Sequence, residues 1–271
     1  MLSIIISSYK PDYFSALEKN IAETCGIPYE IIKIDNPGVM GICEAYNKGA
    51  AKARYEYLLF LHEDVEFTDK NWGSRLEEYL KNSEIGAIGL AGSNYLPNCP
   101  SPWWLYKENN FLNLTQNNKK DLIGTFDLEK DEEVISLDGV FLALRKNVFK
   151  QFKFNEKLKG FHAYDIDLSN RVASTYKNMV TSKIFLKHFS QGVPDKSWIE
   201  ALIHARKFYS VPNKQKKNYQ KEVTAVLHLY KNLCDFGFDR GYIKRTLLTY
   251  SSPFKIGFRG SYYMIKKIIS I

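Results

Sequence analysis

The sequence contains few cysteines, and their spacing matches no common metal or disulfide pattern. None of the four forms a C-x-x-C pair, and they lie far apart in the chain: Cys25, Cys43, Cys99 and Cys234. Disulfide-stabilised secreted proteins and structural zinc sites depend on numerous or closely spaced cysteines. The pattern excludes both classes and is typical of reduced thiols in a cytosolic protein.

Long hydrophobic runs are also missing. The apolar segment after Met1 covers only residues 2–6 and has no basic flank before it, so it does not match a secretory signal. No run approaches the roughly 18 apolar residues that a membrane-spanning helix requires. We therefore expect a cytoplasmic protein.

What is present is an ordinary globular composition. Apolar residues make up 45% of the 271 residues and charged residues 25%, which excludes a disordered chain and a collagen-like fibre. The length suits one large α/β domain, or one domain with an appendage. Aromatic residues reach 14%, so rings are available for stacking on bases or sugars.

The excess positive charge lies entirely in the last part of the chain. Residues 211–271 carry 12 Lys and Arg against 3 Asp and Glu, a net charge of +9, whereas residues 1–210 have a net charge of −1. A nucleic-acid-binding protein usually carries its basic patch on the folded body. We therefore divide the chain into a main domain at 1–210 and a basic, aromatic helical extension at 211–271, and expect no nucleic-acid partner.

Strand-like and helix-like segments alternate in the first half. Apolar, β-branched runs predict strands at 2–7, 29–34, 57–61 and 85–90, and segments of helical periodicity lie between them, one of them at 72–80. Such alternation with short connections predicts an α/β fold in which helices flank a mostly parallel sheet.

The pattern changes after residue 90. Residues 91–130 lose their periodicity, which predicts an irregular functional loop. Beyond that loop we expect a strand pair at 133–144, a helix at 162–173, a strand at 180–187, and helices after 195 with a break at 212–220.

Polar residues follow the ends of several predicted strands. In an open parallel sheet, ligands bind outside the carboxyl ends of the strands, so these residues are candidates for one site. They are Ser8, Tyr9, Asp35, His62, Asp64, Asp138 and His188. Any one of them alone is more commonly a cap or turn residue, but the sheet would bring all of them to the same edge.

Two short segments carry candidate chemistry. In extended chain, His62 and Asp64 point the same way, and a carboxylate with imidazoles suits Mn²⁺ or Mg²⁺ shared with phosphate oxygens. A turn with a helix cap is the alternative. Asp165 and Asp167 diverge by roughly 200° on a helix, so one can face a site while the other caps the helix or pairs with Arg171.

The ordered set of motifs resembles the inverting, family-2-like glycosyltransferases with the GT-A fold. The resemblance covers residues 1 to about 195, although no single motif is specific. It rests on Ser7-Ser8-Tyr9, Asp35, Asn47 with Gly49, His62-Glu63-Asp64, Asp138-Gly139 with Arg145, Ala163-Tyr164-Asp165-Ile166-Asp167-Leu168, and His188-Phe189-Ser190-Gln191-Gly192. His62 stands where the family usually has Asp, and Tyr164 stands where it usually has Glu.

The resemblance implies transfer of a sugar, with inversion, from a nucleotide-sugar to a hydroxyl of a saccharide or lipid-linked acceptor. A UDP-sugar is the favoured donor, Mn²⁺ or Mg²⁺ the cofactor, and bacterial surface-polysaccharide synthesis the setting. Asp165 would be the general base. The donor nucleotide would be held by Ser8, Tyr9, Asp35, Asn47 and Glu63, the metal by Asp64, His188 and His62, and the acceptor or sugar by Asp138, Gly139, Trp103, Trp104 and Tyr164.

Three alternatives stay open at this point. Trp103 and Trp104 suit sugar stacking or simply anchor their Pro-rich loop. Residues 240–271 of the basic extension suit an anionic membrane surface, which would make the protein peripheral at the inner face of the cell membrane, or else they form a helix that packs on the body with a solvated basic face. The whole fold suits an enzyme or, as the second interpretation, a catalytically inactive nucleotide- or glycan-binding module.

Overall fold

The computed structural model describes residues 1–117, 122–189, 192–212 and 215–271. Its strands are β1 (Leu2–Ser8), β2 (Tyr29–Asp35), β3 (Tyr57–Leu61), β4 (Val65–Phe67), β5 (Ile85–Gly89), β6 (Ala91–Ser93), β7 (Asn110–Leu112), β8 (Leu114–Asn117), β9 (Leu122–Phe126), β10 (Glu132–Val134), β11 (Ser136–Leu137), β12 (Phe141–Arg145), β13 (Lys177–Val180) and β14 (Leu186–His188). Its α-helices are α1 (Pro11–Thr24), α2 (Ile42–Lys52), α3 (Trp72–Lys81), α4 (Lys146–Phe152), α5 (Tyr164–Val172), α6 (Lys196–Ala205), α7 (Tyr219–Asp235), α8 (Arg240–Tyr250) and α9 (Pro253–Ile269). Two short 3₁₀ turns cover Trp103–Leu105 and Lys107–Asn109.

A seven-stranded sheet forms the centre of the molecule, in the order β10-β13-β5-β12-β3-β1-β2. The α/β class is confirmed, but the sheet is mixed: three neighbouring pairs are parallel and three are antiparallel. Two of the antiparallel pairs arise because β12 inserts between β3 and β5 with the opposite direction, and the third is β10 beside β13. The first residue of β12, Phe141, therefore lies at the edge where β3 ends, paired with Leu61.

Both faces of this sheet are buried, as the continuous apolar strands predict. Alternate residues of β1 enter two different cores: Ile4 and Ile6 face α1 and α3, whereas Ile5 faces α2, α4 and α5. All three have no exposed surface. The two helical layers fix the strand ends rigidly, so the side chains that follow those ends have defined positions.

The predicted irregular segment is more ordered than expected. Residues 91–112 supply β6 and β7 of a three-stranded sheet, and β8 and β9 join β4 and β14 in a four-stranded sheet. Residues 118–121 of the predicted loop lie outside the described residues. The predicted strand pair at 133–144 is three strands in two sheets, and the predicted strand at 180–187 is split into β13 and β14, which belong to different sheets. Strands this short carry little periodicity, so the sequence gives no signal of their partners.

The C-terminal helices pack on the body. Apolar residues of α7 with no exposed surface belong to the same core as α2 and α5, namely Ala225, Val226, Leu229 and Leu233. Glu222 on α7 is also buried and accepts hydrogen bonds from the Tyr95 hydroxyl at 3.0 Å and the Asn98 N–H at 2.8 Å. The first helix of the extension is therefore part of the main core. Residues 213 and 214 of the predicted break are outside the described ranges. Within those ranges, no helix combines the length and the apolar character needed to cross a bilayer.

Candidate active site

The end of β3 is joined to the start of β12 by a backbone hydrogen bond. The His62 N–H donates to the Val140 carbonyl at 3.2 Å. This bond places the segment His62-Glu63-Asp64 beside Asp138 and Gly139, although the two segments are more than 70 residues apart in sequence. The antiparallel β12 thus brings a second polar segment to the edge where the parallel strands end.

His62, Asp64 and His188 form a cluster of three potential metal ligands. One ligand atom from each lies within 4.8 Å of the others. The Asp64 Oδ1 is 3.9 Å from the His62 Nδ1 and 3.6 Å from the His188 Nε2. The His188 Nε2 is buried and has no hydrogen-bond partner among the described residues. A buried imidazole nitrogen beside a carboxylate fits a divalent cation that also binds oxygen ligands.

Each imidazole of this cluster is held by its other ring nitrogen. The His62 Nε2 lies 2.7 Å from the Tyr164 hydroxyl, and the His188 Nδ1 lies 3.1 Å from the Gln116 Oε1. Because Gln116 offers a carbonyl oxygen, the His188 Nδ1 is the donor in this pair. Hydrogen bonds of this kind orient metal-binding histidines and fix their tautomers.

Asp64 stays ionised at neutral pH. Burial by itself would raise the pKa of its carboxyl, but the His188 and His62 imidazoles outweigh burial and hold the pKa at about 2. The pKa of the His62 imidazole is lowered, first by burial and then by the neighbouring His188. The ionised carboxylate is the form of Asp64 that binds a metal ion.

Asp165 lies in the first turn of α5 and is held by backbone N–H groups. The Gly139 N–H donates to its Oδ2 at 3.0 Å and its own neighbour Ile166 donates to its Oδ1 at 2.9 Å. Burial, followed by the negative charge of Asp138, raises the pKa of Asp165 to about 7. A carboxylate with a pKa near neutrality is suited to take a proton from a hydroxyl.

Gly139 is required by the position of Tyr164. A Cβ built on Gly139 would lie 2.1 Å from the Tyr164 hydroxyl oxygen, closer than non-bonded atoms approach. The ring of Tyr164 therefore crosses directly over the Gly139 backbone to reach His62. A single side chain thus connects the metal-type cluster to the helix that carries Asp165.

A cleft of about 640 Å³ lies between the two histidines of the cluster and Asp165, and Asp64 is not among its lining residues. Of the predicted site residues, the following line it: His62, Trp103, Trp104, Asp138, Gly139, Tyr164, Asp165 and His188. Trp103 is fixed by a hydrogen bond from its Nε1 to the Asp138 Oδ2 at 3.0 Å. Trp104 is 42% exposed and stacks on Trp198, with 6.1 Å between ring centroids. Trp103 therefore anchors the loop, and Trp104 presents an open ring at the mouth of the cleft.

Four of the five residues predicted on the donor side lie at neighbouring strand ends rather than in this cleft. Ser8 is buried and pairs in register with Asp35, which is exposed and bound to Lys33 at 2.8 Å. The exposed Tyr9 follows Ser8, and its backbone N–H donates to the Glu63 Oε1 at 3.2 Å. The buried Glu63 thus connects the end of β1 to the end of β3.

Asn47 is the exception among the predicted donor residues. Its side chain donates to the Phe154 carbonyl at 2.9 Å and to Glu156 at 2.8 Å, and it accepts from the Phe154 N–H at 3.1 Å. These bonds hold the segment after α4 against α2. The structure therefore gives Asn47 a bracing contact away from the cleft.

The second aspartate of α5 has a different environment. Asp167 is fully buried and forms a salt bridge with Arg171 at 2.6 Å. Arg171 also donates to the Lys153 carbonyl at 2.8 Å, after the end of α4. Of the two alternatives that the sequence left open for one of these aspartates, a helix cap or an ion pair at i+4, Asp167 forms the ion pair.

Several residues of the cleft were not predicted from the sequence. Gln116 lies on β8, where no periodicity indicated a strand, and Phe161, His162 and Trp198 also line the cleft. Phe161 and His162 directly precede the Asp165 motif, so their position in the chain was an available signal. Ser190 and Gln191 of the late histidine motif lie outside the described residues.

The sheet, with a metal-type cluster after its third strand and a buried carboxylate across the cleft, defines a GT-A fold. A crystal structure of GalNAc-T7 with UDP, GalNAc and Mn²⁺ aligns with 100% of this chain at a TM-score of 0.57 and 10% identity. The chain spans 57% of the length of that structure. S. aureus TarS 1-349 in complex with UDP aligns over 89% of this chain and 73% of its own, at a TM-score of 0.52 and 14% identity.

The family is identified by sequence. Residues 3–224 match the family described as "Glycosyltransferase like family", which is more than three quarters of the chain. The protein belongs to this glycosyltransferase-like family. No curated protein matches the sequence closely enough to count as a relative.

Proposed function

We propose that the protein transfers a sugar, with inversion, from a nucleotide-sugar to a hydroxyl of a saccharide or lipid-linked acceptor. One observation carries this proposal: a buried carboxylate with a pKa of about 7 lines the same cleft as two histidines of a cluster suited to a metal ion. Membership of the glycosyltransferase-like family supports the reaction class.

The donor diphosphate belongs on the side of His62, Asp64 and His188. The ionised Asp64 and the unpartnered His188 Nε2 are the groups that would hold Mn²⁺ or Mg²⁺, with His62 beside them. A bound divalent cation neutralises the charge that develops on the departing diphosphate. The GalNAc-T7 structure with UDP and Mn²⁺ supports a UDP-sugar as the donor class. The adjoining strand ends with Ser8, Tyr9 and Asp35 are the proposed nucleoside site.

Asp165 is the proposed general base. It accepts the proton of the acceptor hydroxyl while the acceptor oxygen forms a bond to the anomeric carbon of the sugar and the bond from that carbon to the diphosphate breaks. The nucleoside diphosphate leaves with the electron pair of the bond that breaks. Attack on the face opposite to the leaving group inverts the anomeric centre. The two backbone N–H groups from Gly139 and Ile166 hold the carboxylate in place for this transfer.

The mouth of the cleft suits a saccharide acceptor. Trp104 presents an open ring beside Trp198, and sugar rings stack on such aromatic faces. Trp103 and Asp138 fix the wall next to the base. A lipid-linked saccharide at the inner face of the cell membrane, in surface-polysaccharide synthesis, is the acceptor and setting that we propose.

A thermal-shift screen of nucleotide-sugars, with and without Mn²⁺, tests the donor assignment. A donor at a hundredfold excess over its Kd adds about 2.7 kcal/mol to the free energy of unfolding, which raises the melting temperature by several degrees. We expect such a rise for a UDP-sugar with Mn²⁺ and expect Asp64→Asn to remove most of it. Asp69→Asn, an equivalent change at a carboxylate outside the cleft, should keep the full rise. Equal donor stabilisation in wild-type and Asp64→Asn protein would overturn the metal assignment.

A further inference from the structure

The last helix exposes large apolar side chains to solvent. Within α9, the exposed fractions are 83% for Phe258, 63% for Tyr262, 44% for Ile265 and 74% for Ile269. Phe254, in the turn before them, is 86% exposed. Isolated apolar residues on a surface are ordinary, but a contiguous group of this size marks a contact surface.

Four of these residues lie on one side of the helix. Gly257 has a positive φ of 75° and interrupts the helical geometry, so the regular helix runs from Phe258 onward. With about 100° between successive residues, Phe258, Tyr262, Ile265 and Ile269 fall within a sector of about 60°. We call these four residues the α9 stripe.

The α9 stripe is separate from the face that anchors the helix. Ser261, Met264 and Ile268 are buried, at 2%, 0% and 5% exposed, and the helix contacts α7 and α8. On the same helical projection they lie about 100° from the stripe. The helix therefore has one apolar face that the fold uses and a second apolar face that it leaves open.

Positive charge borders the open face. Residues 240–271 contain seven Lys and Arg and no Asp or Glu. Arg259 and Lys266 lie about 80–100° around the helix from Phe258, on the side away from the buried face. The Lys266 Nζ sits 4.4 Å from the centre of the Tyr262 ring, so cation and aromatic ring are adjacent.

We propose that the α9 stripe docks onto an anionic lipid bilayer. Aromatic and aliphatic side chains on one face, with a border of Lys and Arg, are the composition of helices that lie in the membrane interface. Basic residues at such a surface are attracted to anionic head groups, and their apolar stems extend along the interface. The buried face stays packed on the protein, so docking requires no unfolding.

The charge distribution favours lipid over a second copy of the chain. Joining two α9 stripes would bring two sets of Arg259 and Lys266 together, with no acidic residue in 240–271 to offset their repulsion. An anionic bilayer satisfies the apolar residues and the cations together. The proposal does not depend on sugar transfer, because none of the stripe residues lines the cleft.

Sedimentation of the full chain with lipid vesicles tests this surface. We expect binding to vesicles of phosphatidylglycerol and phosphatidylcholine, weaker binding to phosphatidylcholine alone, and a loss of affinity at high salt. Phe258→Ala with Ile269→Ala should weaken binding by at least about tenfold. Arg259→Gln with Lys266→Gln should weaken it by about 30-fold.

The matched control removes the same charge from the body of the protein. Lys52→Gln with Lys70→Gln changes two exposed lysines far from α9 in sequence and should leave vesicle binding unchanged. Circular dichroism and the melting temperature establish that each variant is folded. The proposal is overturned if the folded stripe variants bind vesicles like the wild type. It is also overturned if the stripe variants only convert a dimer into a monomer in analytical ultracentrifugation while vesicle binding persists.

Discussion

At the scale of single residues, the proposed role of Asp165 as general base predicts how activity should depend on pH. Its pKa is raised to about 7 by burial and then by the charge of Asp138, which lies one residue before the Gly139 N–H that Asp165 accepts. A general base works only when it is deprotonated. We therefore expect activity to fall as the pH drops below the pKa of Asp165.

Asp138→Asn should move this limit. Without the negative charge of Asp138 the ionised form of Asp165 is less disfavoured, so its pKa falls and the acid limb of the kcat/KM profile shifts to lower pH. The pH profile of wild-type and variant protein measures the shift, and Asp69→Asn serves as the remote control. An acid limb that stays in place, or that moves to higher pH, contradicts the pairing of these two carboxyl groups.

The contact between His62 and Tyr164 could not be predicted from the sequence motifs. From the sequence these residues are two separate departures from the family pattern, one in each of two distant motifs. In the structure they form a single hydrogen bond of 2.7 Å across Gly139. Since that contact depends on a ring passing over a glycine backbone, no local pattern in either segment indicates it.

At the scale of elements, α5 carries two aspartates in different environments. The buried Asp167 neutralises Arg171, which also binds the carbonyls of Phe152 and Lys153 and so fixes the end of α4. Asp165, two residues earlier, contacts the backbone of Gly139 at the cleft. The helix thus has one aspartate paired in the core and one aspartate that lines the cleft.

Asp167→Asn should reduce stability more than turnover. The substitution leaves the Arg171 guanidinium without its charge partner, and breaking one side of a buried pair costs about 3 kcal/mol. Urea unfolding measures this loss, and donor affinity should be unchanged. If Asp167→Asn abolishes turnover while the free energy of unfolding stays the same, the roles of the two acids are reversed.

Elements with strong periodicity were predicted correctly, and short ones were not. The strands at 2–7, 29–34, 57–61 and 85–90 and the helix at 72–80 are confirmed, because continuous apolar runs and helical spacing are local properties. Strands of two to four residues such as β6, β11 and β14 form because they hydrogen-bond to strands from distant segments of the chain. The sequence of a three-residue strand does not determine which sheet it joins.

At the scale of the whole molecule, the site depends on contacts between distant segments. The edge of the sheet was predictable, since polar residues after strand ends meet there. The position of Gln116 against His188 was not, because it requires β8 and β14 to pair in a sheet separate from the central one. The packing of α7 into the main core through Leu229 was not predictable either, because the most distinctive feature of this segment of the sequence is its charge.

The most direct test of the account compares the release of nucleoside diphosphate by wild-type and Asp165→Asn protein. The assay uses the donor identified by thermal shift and a panel of saccharide acceptors. The account predicts that Asp165→Asn binds this donor with unchanged Kd but turns over at least ~10²-fold more slowly, because general-base catalysis contributes ~10²–10⁴-fold. Equal turnover by the two proteins would contradict the role of Asp165. Donor binding by the wild type with no turnover on any acceptor would instead identify a binding module on a glycosyltransferase fold.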